Sequence, residues 1–390
     1  MRDNPVSRMG HSPGFITPPS APPIYQTTAF DIPDLQTLQQ VHTGDVQGYV
    51  YTRDSNPNHA ALAGTLAGLE HAPAGAVFSS GMGAIAALLI SLAATGDHIV
   101  VSRLLYGRSI QLVRRLAEQF RIEVSEIDVA DHGQLRSAVR EDTKLCLVES
   151  ISNPLLDVVD VAAAAEILGE VPLIVDSTFT TPELIRPLDL GAHAVVHSAS
   201  KYLNGHGDVT LGVAAGTQEL MASAGETASL FGQNANPFES WLTQRGLRTL
   251  PLRMQQICCT TRALAEFLHR QPGIRRVHYP LLESHPSFEL ARLLYPEGSG
   301  GIISIELADV GTAAVSRFMQ AVPQFPFSPT LADIRTTLSH PASTSHRYMT
   351  AEDRTAIGIS DELIRISVGL EPLELLQEEF TTALRGVTSV

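Results

Sequence analysis

Lys201 is the residue whose type and position most directly suggest chemistry. It lies in the segment His197–Tyr202 (HSASKY), just after the apolar run Ala194–Val196. A lysine at the end of a buried strand loses solvation, so its pKa falls and its neutral amine can form an imine with an aldehyde cofactor. Ser198 and Ser200 carry hydroxyls that can donate to a phosphate. A surface lysine is the common alternative for any lone lysine, and it is the neighbouring segments that favour the imine.

Asp176 ends a second apolar run, Pro172–Val175, and is followed by Ser177 and Thr178. If the two runs are nearby strands of one sheet, its carboxylate reaches the same edge as Lys201. A carboxylate there can pair with a pyridinium nitrogen and keep a cofactor ring electron-poor. A turn or N-cap aspartate explains Asp176 equally well when it is taken alone.

The segment Ser79–Gly83 (SSGMG) separates an apolar run, Ala76–Phe78, from a helical pattern, Ala84–Ala94. Glycines let the backbone approach a ligand closely, and a helix N-terminus presents free N–H groups to an anion such as a phosphate. The same letters fit G-x-G-x-x-A with Asp97 farther on, so a dinucleotide site is an alternative. That motif is weak, and it leaves the lysine and the aspartate without a role.

Four further side chains are candidates for the same site. Tyr51 and Arg53 offer a phenol and a guanidinium suited to a phosphate, although a solvated patch also explains them. Tyr106 follows the apolar run Ile99–Val101 and can stack on a ring, unless it is simply a half-buried core residue. Asn153 can hydrogen-bond a phenolate oxygen, and a turn signal is its alternative interpretation.

Arg365 lies inside the apolar segment Leu363–Gly369. Because apolar strands rarely tolerate an unpaired guanidinium, we expect Arg365 to meet a carboxylate, either of the protein or of a substrate. His193 and His197 are four residues apart on a strand and have no partner with metal-ligand spacing. We interpret both as structural and predict no metal site.

The composition argues against several classes of partner. The net charge is -14, and we find no basic run, so neither a nucleic acid nor an anionic membrane is expected to bind. Hydrophobic residues make up 44% of the chain, which is enough for a packed core. The three cysteines give no disulfide framework and favour a reducing compartment, so we expect a cytoplasmic protein. The first thirty residues or so lack the apolar region of a signal peptide or membrane span.

The elements that must position these residues follow a βαβ rhythm from Ala76 onward. Fully apolar strands predict a mainly parallel sheet with helices on both faces, which binds ligands beyond the carboxyl ends of its strands. We expect a proline-rich, extended N-terminal arm over residues 1–53 that contacts a neighbouring subunit, and a large domain over 54–250. A smaller α+β domain is predicted over 251–390, in which 323–348 is mostly loop.

These ordered segments resemble the Cys/Met-metabolism family of pyridoxal-phosphate enzymes. The family includes cystathionine γ-synthase, cystathionine γ-lyase, methionine γ-lyase and the homoserine-ester sulfhydrylases. The resemblance runs from about residue 22 to the C-terminus and implies the type I fold of pyridoxal-phosphate-dependent transferases. Its strongest stretches are YTRDSNP (51–57), SSGMGAI (79–85), DSTFTTP (176–182), HSASKYLNGHGD (197–208), RGLRTL (245–250) and LIRISVGLE (363–371).

The resemblance also implies roles for individual residues. Lys201 is similar to the lysine that carries the cofactor, Asp176 to the partner of its ring nitrogen, and Tyr106 to the stacking tyrosine and acid; these three are the predicted catalytic residues. The implied cofactor-binding residues are Tyr51, Arg53, Gly81, Met82, Tyr106, Asn153, Asp176, Thr178, Ser198, Ser200 and Lys201. The implied substrate-binding residues are Arg365 and Thr336, which clamp a carboxylate, and Arg108.

The resemblance implies a homotetramer built from catalytic dimers, since Tyr51 and Arg53 match residues that reach the phosphate of a neighbouring subunit. We expect α,γ-elimination on an amino acid such as L-methionine or L-cystathionine, with γ-replacement as the alternative. Arg108 and Arg335 depart from the better-known γ-lyases, and both lie near the expected position of the substrate side chain. A nucleotide-dependent oxidoreductase and a non-catalytic scaffold of the same fold are the hypotheses from other classes.

Overall fold

The structure is a computed structural model that describes residues 19–309 and 311–388. Its helices are α1 Leu35–Thr43, α2 Pro57–Leu69, α3 Gly81–Leu92, α4 Gly107–Phe120, α5 His132–Ala138, α6 Val161–Leu168, α7 Thr181–Leu184, α8 Gln218–Leu230, α9 Pro237–Leu247, α10 Leu250–His269, α11 Phe288–Leu294, α12 Thr312–Gln320, α13 Ala351–Ala356 and α14 Leu373–Thr388. Its strands are β1 Ala74–Phe78, β2 His98–Ser102, β3 Glu123–Ile127, β4 Thr143–Glu149, β5 Leu173–Asp176, β6 Ala194–Ser198, β7 Gly212–Gly216, β8 Ile274–His278, β9 Ile302–Leu307, β10 Thr337–Ser339 and β11 Leu363–Ser367. Strands and helices alternate from β1 to β6, as the sequence predicts.

Seven strands form a large sheet in the order β1-β7-β6-β5-β4-β2-β3. β7 runs antiparallel to β1 and β6, and the other pairs are parallel. The strands are apolar because helices cover both faces. Ile99 and Val101 of β2 join a buried cluster with α3, α4 and α8, while Val100 joins a cluster with α5 and α6 on the other face. The predicted α/β architecture with a mainly parallel sheet is therefore confirmed.

A second sheet of four antiparallel strands has the order β10-β11-β9-β8. One continuous hydrophobic cluster joins the two sheets, since it contains Val195 of β6 together with Ile303 of β9, Ile364 of β11 and Phe380 of α14. This shared core holds β11 at a fixed position relative to the carboxyl ends of the large sheet. The smaller α+β unit expected from the sequence is present, and the division at residues 250 and 251 stays a prediction.

Two strands of the large sheet were missed by the sequence analysis. β3 (EVSEI) lies at the edge of the sheet and alternates polar and apolar residues. None of its five residues is fully buried, so it lacks the apolar run that marks the other strands. β7 (GVAAG) consists of glycine, alanine and one valine, which have weak strand preference. Small residues suit β7 because its neighbours pack closely: a Cβ on Gly212 would lie 2.0 Å from the carbonyl oxygen of Ser80.

The expectation of an irregular N-terminal arm is wrong for residues 35–43, which form α1. Asp34 caps this helix by accepting a hydrogen bond from the backbone N–H of Thr37. The rest of the described arm forms no further helix or strand and is tied to its own chain, since Trp241 donates from Nε1 to the carbonyl of Pro22. Residues 1–18 of the predicted arm lie outside the described residues. Within the described ranges, none of the helices combines the length and hydropathy needed to span a bilayer.

Candidate active site

A cavity of about 390 Å³ lies beyond the carboxyl ends of β4, β5 and β6, beside β11. It brings together most of the site residues that the sequence predicts. Those lining it are Gly81, Met82, Tyr106, Arg108, Asn153, Asp176, Thr178, Ser198, Ser200, Lys201 and Arg365. Parallel strands direct their carboxyl ends to one edge, so residues far apart in sequence meet there.

Lys201 lies in the turn that follows β6, and its amine reaches the cavity. Nζ donates a hydrogen bond to Oγ1 of Thr330 at 3.3 Å. Burial lowers the pKa of Lys201 to about 8, and the positive charge of Arg365 adds to this effect. About a tenth of the amine is therefore neutral at pH 7, and neutral amine is the state needed to attack a carbonyl carbon.

Asp176 ends β5 and faces the same cavity. Its Oδ1 accepts hydrogen bonds from the backbone N–H and the hydroxyl of Thr178, at 3.0 and 2.5 Å. Burial raises the pKa of Asp176, and the bonds from Thr178 and the nearby imidazole of His197 oppose that rise. His197 is itself fully buried and pairs with Glu70, with 2.6 Å between Nε2 and Oε1. Because this pair holds His197 beside β5, the structural role expected for that histidine agrees with its contacts.

Glu149 is a site residue that the sequence analysis missed. It ends β4 directly opposite Asp176 on β5, so two carboxyl groups lie side by side at the sheet edge. Oε1 accepts a hydrogen bond from the backbone N–H of Tyr106 at 2.6 Å. Burial and the neighbouring charge of Asp176 raise the pKa of Glu149 well above its usual value. The signal was the one used for Asp176: an acidic residue at the end of an apolar run.

The first turn of α3 forms an anion-binding corner of the cavity. Ser80 caps the helix by accepting from the backbone N–H of Gly83 at 3.0 Å. A Cβ on Gly81 would lie 2.9 Å from Cβ of Ser198, so only glycine lets the helix start this close to the end of β6. Ser200 lies beside this corner, and its hydroxyl accepts from Leu211 N at 3.0 Å. Backbone N–H groups at the positive end of a helix dipole suit a phosphate.

Arg365 reaches the opposite side of the cavity from the middle of β11. Nη1 donates to Oδ1 of Asn153 at 3.0 Å and Nη2 donates to the carbonyl of Thr330 at 3.3 Å. Nε is buried and has no hydrogen-bond partner among the described residues. The sequence predicts that Arg365 meets a carboxylate, and no protein carboxylate fills that position in the described chain. Arg365 lines the cavity, so its guanidinium is available there to an acidic ligand group.

Four residues that the sequence analysis places at or near the site do not line this cavity. Thr336 is fully buried, and its hydroxyl donates to Glu371 at 2.7 Å and accepts from the backbone N–H of Gly369 at 2.9 Å. These partners turn it away from a substrate, so the geometry gives its predicted place in the carboxylate clamp no support. Tyr51 and Arg53 line a separate surface depression. Arg335, which the sequence places near a substrate side chain, is exposed and also lies outside the cavity lining.

Two arginines stack on one tyrosine at the edge of the cavity. The guanidinium carbons of Arg108 and Arg347 lie 4.2 and 4.3 Å from the ring centroid of Tyr348. Arg108 donates to the Tyr348 hydroxyl at 2.6 Å, and Arg347 also contacts that hydroxyl. Both arginines line the cavity. Arg347 was missed because it lies in the segment 323–348, which has no period that predicts which side chains face a site.

Pyridoxal phosphate fits the residues present. The anion-binding corner of α3, the carboxyl group of Asp176 and the amine of Lys201 line the same cavity. The donors and acceptors match an aldehyde that carries a phosphate at one end and a basic ring nitrogen at the other. The fold and the site thus define a pyridoxal-phosphate enzyme built on a mainly parallel α/β sheet.

Comparison with known proteins identifies the family. The family model described as Cys/Met metabolism PLP-dependent enzyme matches residues 8–385. The chain is 42% identical to the O-succinylhomoserine sulfhydrylase of Pseudomonas aeruginosa over 88% of its length and 85% of that protein. It is 38% identical to the L-methionine gamma-lyase of Pseudomonas putida, with coverages of 94% and 92%. The chain belongs to the Cys/Met metabolism family of pyridoxal-phosphate-dependent enzymes.

The fold agrees with a solved structure of that kind. A cystathionine gamma synthase from Xanthomonas oryzae, crystallised in complex with cystathionine, superposes with a TM-score of 0.89 at 36% identity. The alignment covers 94% of this chain and 93% of that one. The resemblance inferred from the sequence motifs is therefore confirmed, as is pyridoxal phosphate as the cofactor. The relatives divide between lyases and transferases at similar identity, so they leave the reaction type open.

Proposed function

We propose that the protein catalyses α,γ-elimination on a sulfur amino acid, L-methionine or L-cystathionine. One molecule of water is consumed, the Cγ–S bond breaks, and the products are a thiol, ammonia and 2-oxobutanoate. The observation that carries the proposal is that Lys201 and Arg365 line one cavity, where the guanidinium has no carboxylate partner among the described residues. The identity to a methionine gamma-lyase over nearly the whole chain supports the same reaction.

The residues that line the cavity have separate roles in this reaction. Arg365 binds the α-carboxylate of the substrate through its guanidinium, which fixes the Cα–H bond near Lys201. When bound, pyridoxal phosphate withdraws electrons from Cα, and Asp176 keeps its ring nitrogen protonated. Nζ of Lys201 removes the proton from Cα, gives that proton up, and then removes one from Cβ. The hydroxyl of Tyr106 donates a proton to the departing sulfur, because a general acid must lie within hydrogen-bond reach of the leaving atom.

The role of Lys201 has a readout that does not depend on activity. The chain has two lysines, Lys144 and Lys201, and Lys144 is exposed. Borohydride reduction of the holoenzyme fixes the cofactor to the lysine that carries it, and peptide mapping then identifies that residue. We expect the label on Lys201, and a label confined to Lys144 would overturn the assignment. Lys201→Ala is expected to abolish turnover, with Lys144→Ala as the matched control.

γ-Replacement is the second candidate, because the chain is 42% identical to a sulfhydrylase. In that reaction the Cγ–O bond of an O-acyl-L-homoserine breaks and releases the carboxylic acid. An incoming thiol forms the new Cγ–S bond, and no ammonia is released. Purified enzyme is incubated with L-methionine, L-cystathionine and O-acyl-L-homoserine, each with and without added L-cysteine, and 2-oxobutanoate and thioether are quantified. Release of 2-oxobutanoate and ammonia from a thioether supports elimination. A thioether product without any 2-oxo acid would reject the first candidate in favour of the second.

We also propose that the working unit is a homotetramer of catalytic dimers. Tyr51 and Arg53 stand apart from the cavity of their own chain, with Arg53 packed 5.1 Å from the ring of Tyr51. The anion-binding corner at α3 is built from glycine, serine and backbone N–H groups. A positively charged side chain from a second copy of the chain would complete it. Light scattering of the purified protein measures the assembly, and a monomeric, fully active protein would contradict the proposal.

A further inference from the structure

The charges around the cavity are not all explained by the proposed reaction. Lys201 and Arg365 have roles there, and the carboxyls of Asp176 and Glu149 lie at the sheet edge. Arg108 and Arg347 remain, and neither forms an ion pair with a carboxylate in the part of the chain that the structure describes. Two guanidinium groups on one tyrosine ring repel each other, and stacking offsets this only in part. An anion bound between them would remove the repulsion.

The backbone around these arginines is built to hold them together. Arg108 lies in the first turn of α4, which contains no acidic residue, so the positive end of the helix dipole adds to its charge. A Cβ on Gly107 would lie 2.6 Å from the carbonyl oxygen of Ser345, so glycine lets the loop that carries Arg347 pack directly on this helix end. Gln111 accepts from Nη1 of Arg108 at 3.0 Å and fixes its direction.

We propose that Arg108 and Arg347 bind a carboxylate carried by the leaving group of the substrate. The inference rests on the proposed chemistry at Cγ, with the α-carboxylate at Arg365. A substrate anchored there by its α-carboxylate has its other end inside the same cavity, whose wall includes Arg108 at the start of α4 and Arg347 in the loop after β10. Two planar guanidinium forks match a carboxylate in geometry and in charge.

This subsite selects a class of substrate rather than a reaction type. L-Cystathionine and O-succinyl-L-homoserine both carry a carboxylate beyond Cγ, on a thioether in one case and on an ester in the other. L-Methionine and O-acetyl-L-homoserine lack that group. We therefore expect the enzyme to prefer the first two, whether the reaction ends in elimination or in replacement.

The two homoserine esters provide a matched test, because they differ by one terminal carboxylate arm and share the ester that is broken. We expect kcat/KM for the succinyl ester to exceed that for the acetyl ester by at least about tenfold, the effect of one charged hydrogen bond. Arg347→Gln and Arg108→Gln should each lower kcat/KM for the succinyl ester by about tenfold and leave the acetyl ester within about twofold. Arg335→Gln, an exposed arginine outside the cavity lining, is the control and should change neither. Equal use of both esters, or equal losses on both, would overturn the subsite.

A binding experiment with unreactive ligands tests this inference independently of the proposed reaction. L-2-Aminooctanedioate and L-2-aminooctanoate have no leaving group, and they differ only in a terminal carboxylate at the distance found in cystathionine. Calorimetry with the holoenzyme should show the dicarboxylate binding about tenfold more tightly, and Arg347→Gln should remove that preference. If neither ester nor thioether reacts while this preference holds, the proposed reaction fails and the subsite stands. If the two ligands bind equally, the subsite fails whatever the reaction.

Discussion

Lys201 should make the apoprotein less stable at neutral pH, because the fold holds its amine in a place that disfavours the charge. The folded pKa is about 8, against an ordinary value of 10.5. Between these two values the unfolded chain binds more protons than the folded one, so stability rises with pH across that window. Below about pH 8 the amine is charged in both states and the full penalty applies. Above 10.5 it is neutral in both, and the penalty is absent.

The perturbation that tests this is Lys201→Met, which keeps the length of the side chain and removes the charge. The pKa difference corresponds to a gain of about 3 kcal/mol in the free energy of unfolding at pH 7, and about 1 kcal/mol at pH 9.5. Water in the cavity screens the amine, so these are upper values, and we expect a measured gain between about 1 and 3 kcal/mol at pH 7. The same variant should be inactive, because stability and function oppose each other at this position.

Urea unfolding of the apoproteins at pH 7 and pH 9.5 measures both quantities. The decisive quantity is how much the stability difference between Lys201→Met and wild type changes from pH 7 to pH 9.5. The packing difference between lysine and methionine is the same at both pH values and cancels. Lys144→Met, at the exposed lysine, should show less than about 0.5 kcal/mol of change and no dependence on pH. A Lys201→Met apoprotein that is no more stable than wild type at pH 7, with a pH-independent difference, would refute the reasoning.

Three further predictions concern the surroundings of the site. Glu149→Gln should keep kcat/KM within about threefold, because an amide mimics the protonated carboxyl that the raised pKa favours. Glu149→Ala loses the hydrogen bond from the Tyr106 N–H, so its kcat/KM should fall at least about tenfold. A strong loss of kcat/KM in the Gln variant would contradict this prediction. Refolding inactive Lys201→Ala and Arg53→Ala subunits together should restore about a quarter of wild-type activity, since half the dimers carry one intact site, and no recovery would exclude shared sites. The hydrogen bond from His278 lowers the pKa of Glu306 to about 2, so Glu306 should stabilise the fold above about pH 4.5 and lose that effect as pH falls toward 2. In urea titrations at pH 7, Glu306→Gln is expected to lower the free energy of unfolding by about 1–2 kcal/mol. A Gln variant as stable as wild type at pH 7 would argue against this role.

Much of the site could be predicted because strand ends carry a local signal. An apolar run followed by a polar residue marks the edge of a buried strand, and this rule placed Asp176 and Lys201 on one side of the sheet. The glycine-rich start of α3 was visible for the same reason, since helix starts and tight approaches depend on nearby residues. The same rule applies to Glu149 at the end of β4. The sequence analysis did not single this residue out, because it assigned no role to a third polar residue at a strand end.

The rest depends on which segments become neighbours. β7, with its glycines and alanines, has little strand preference of its own and is held by β1 and β6 on either side. Thr336 also depends on a neighbour that no local pattern identifies. The family resemblance implies that it helps to clamp a carboxylate, whereas in the structure its hydroxyl donates a hydrogen bond to Glu371.

The sequence by itself determined the family, the cofactor and the alternation of most strands and helices of the large sheet, because these depend on short, local patterns of residue type. Only the tertiary structure decided that Arg365 meets Asn153, and that Arg108 and Arg347 share one tyrosine, across more than two hundred residues in each case. Such contacts depend on the packing of the whole core, in which each strand's position is set by the burial of all its neighbours, and no local pattern contains that information.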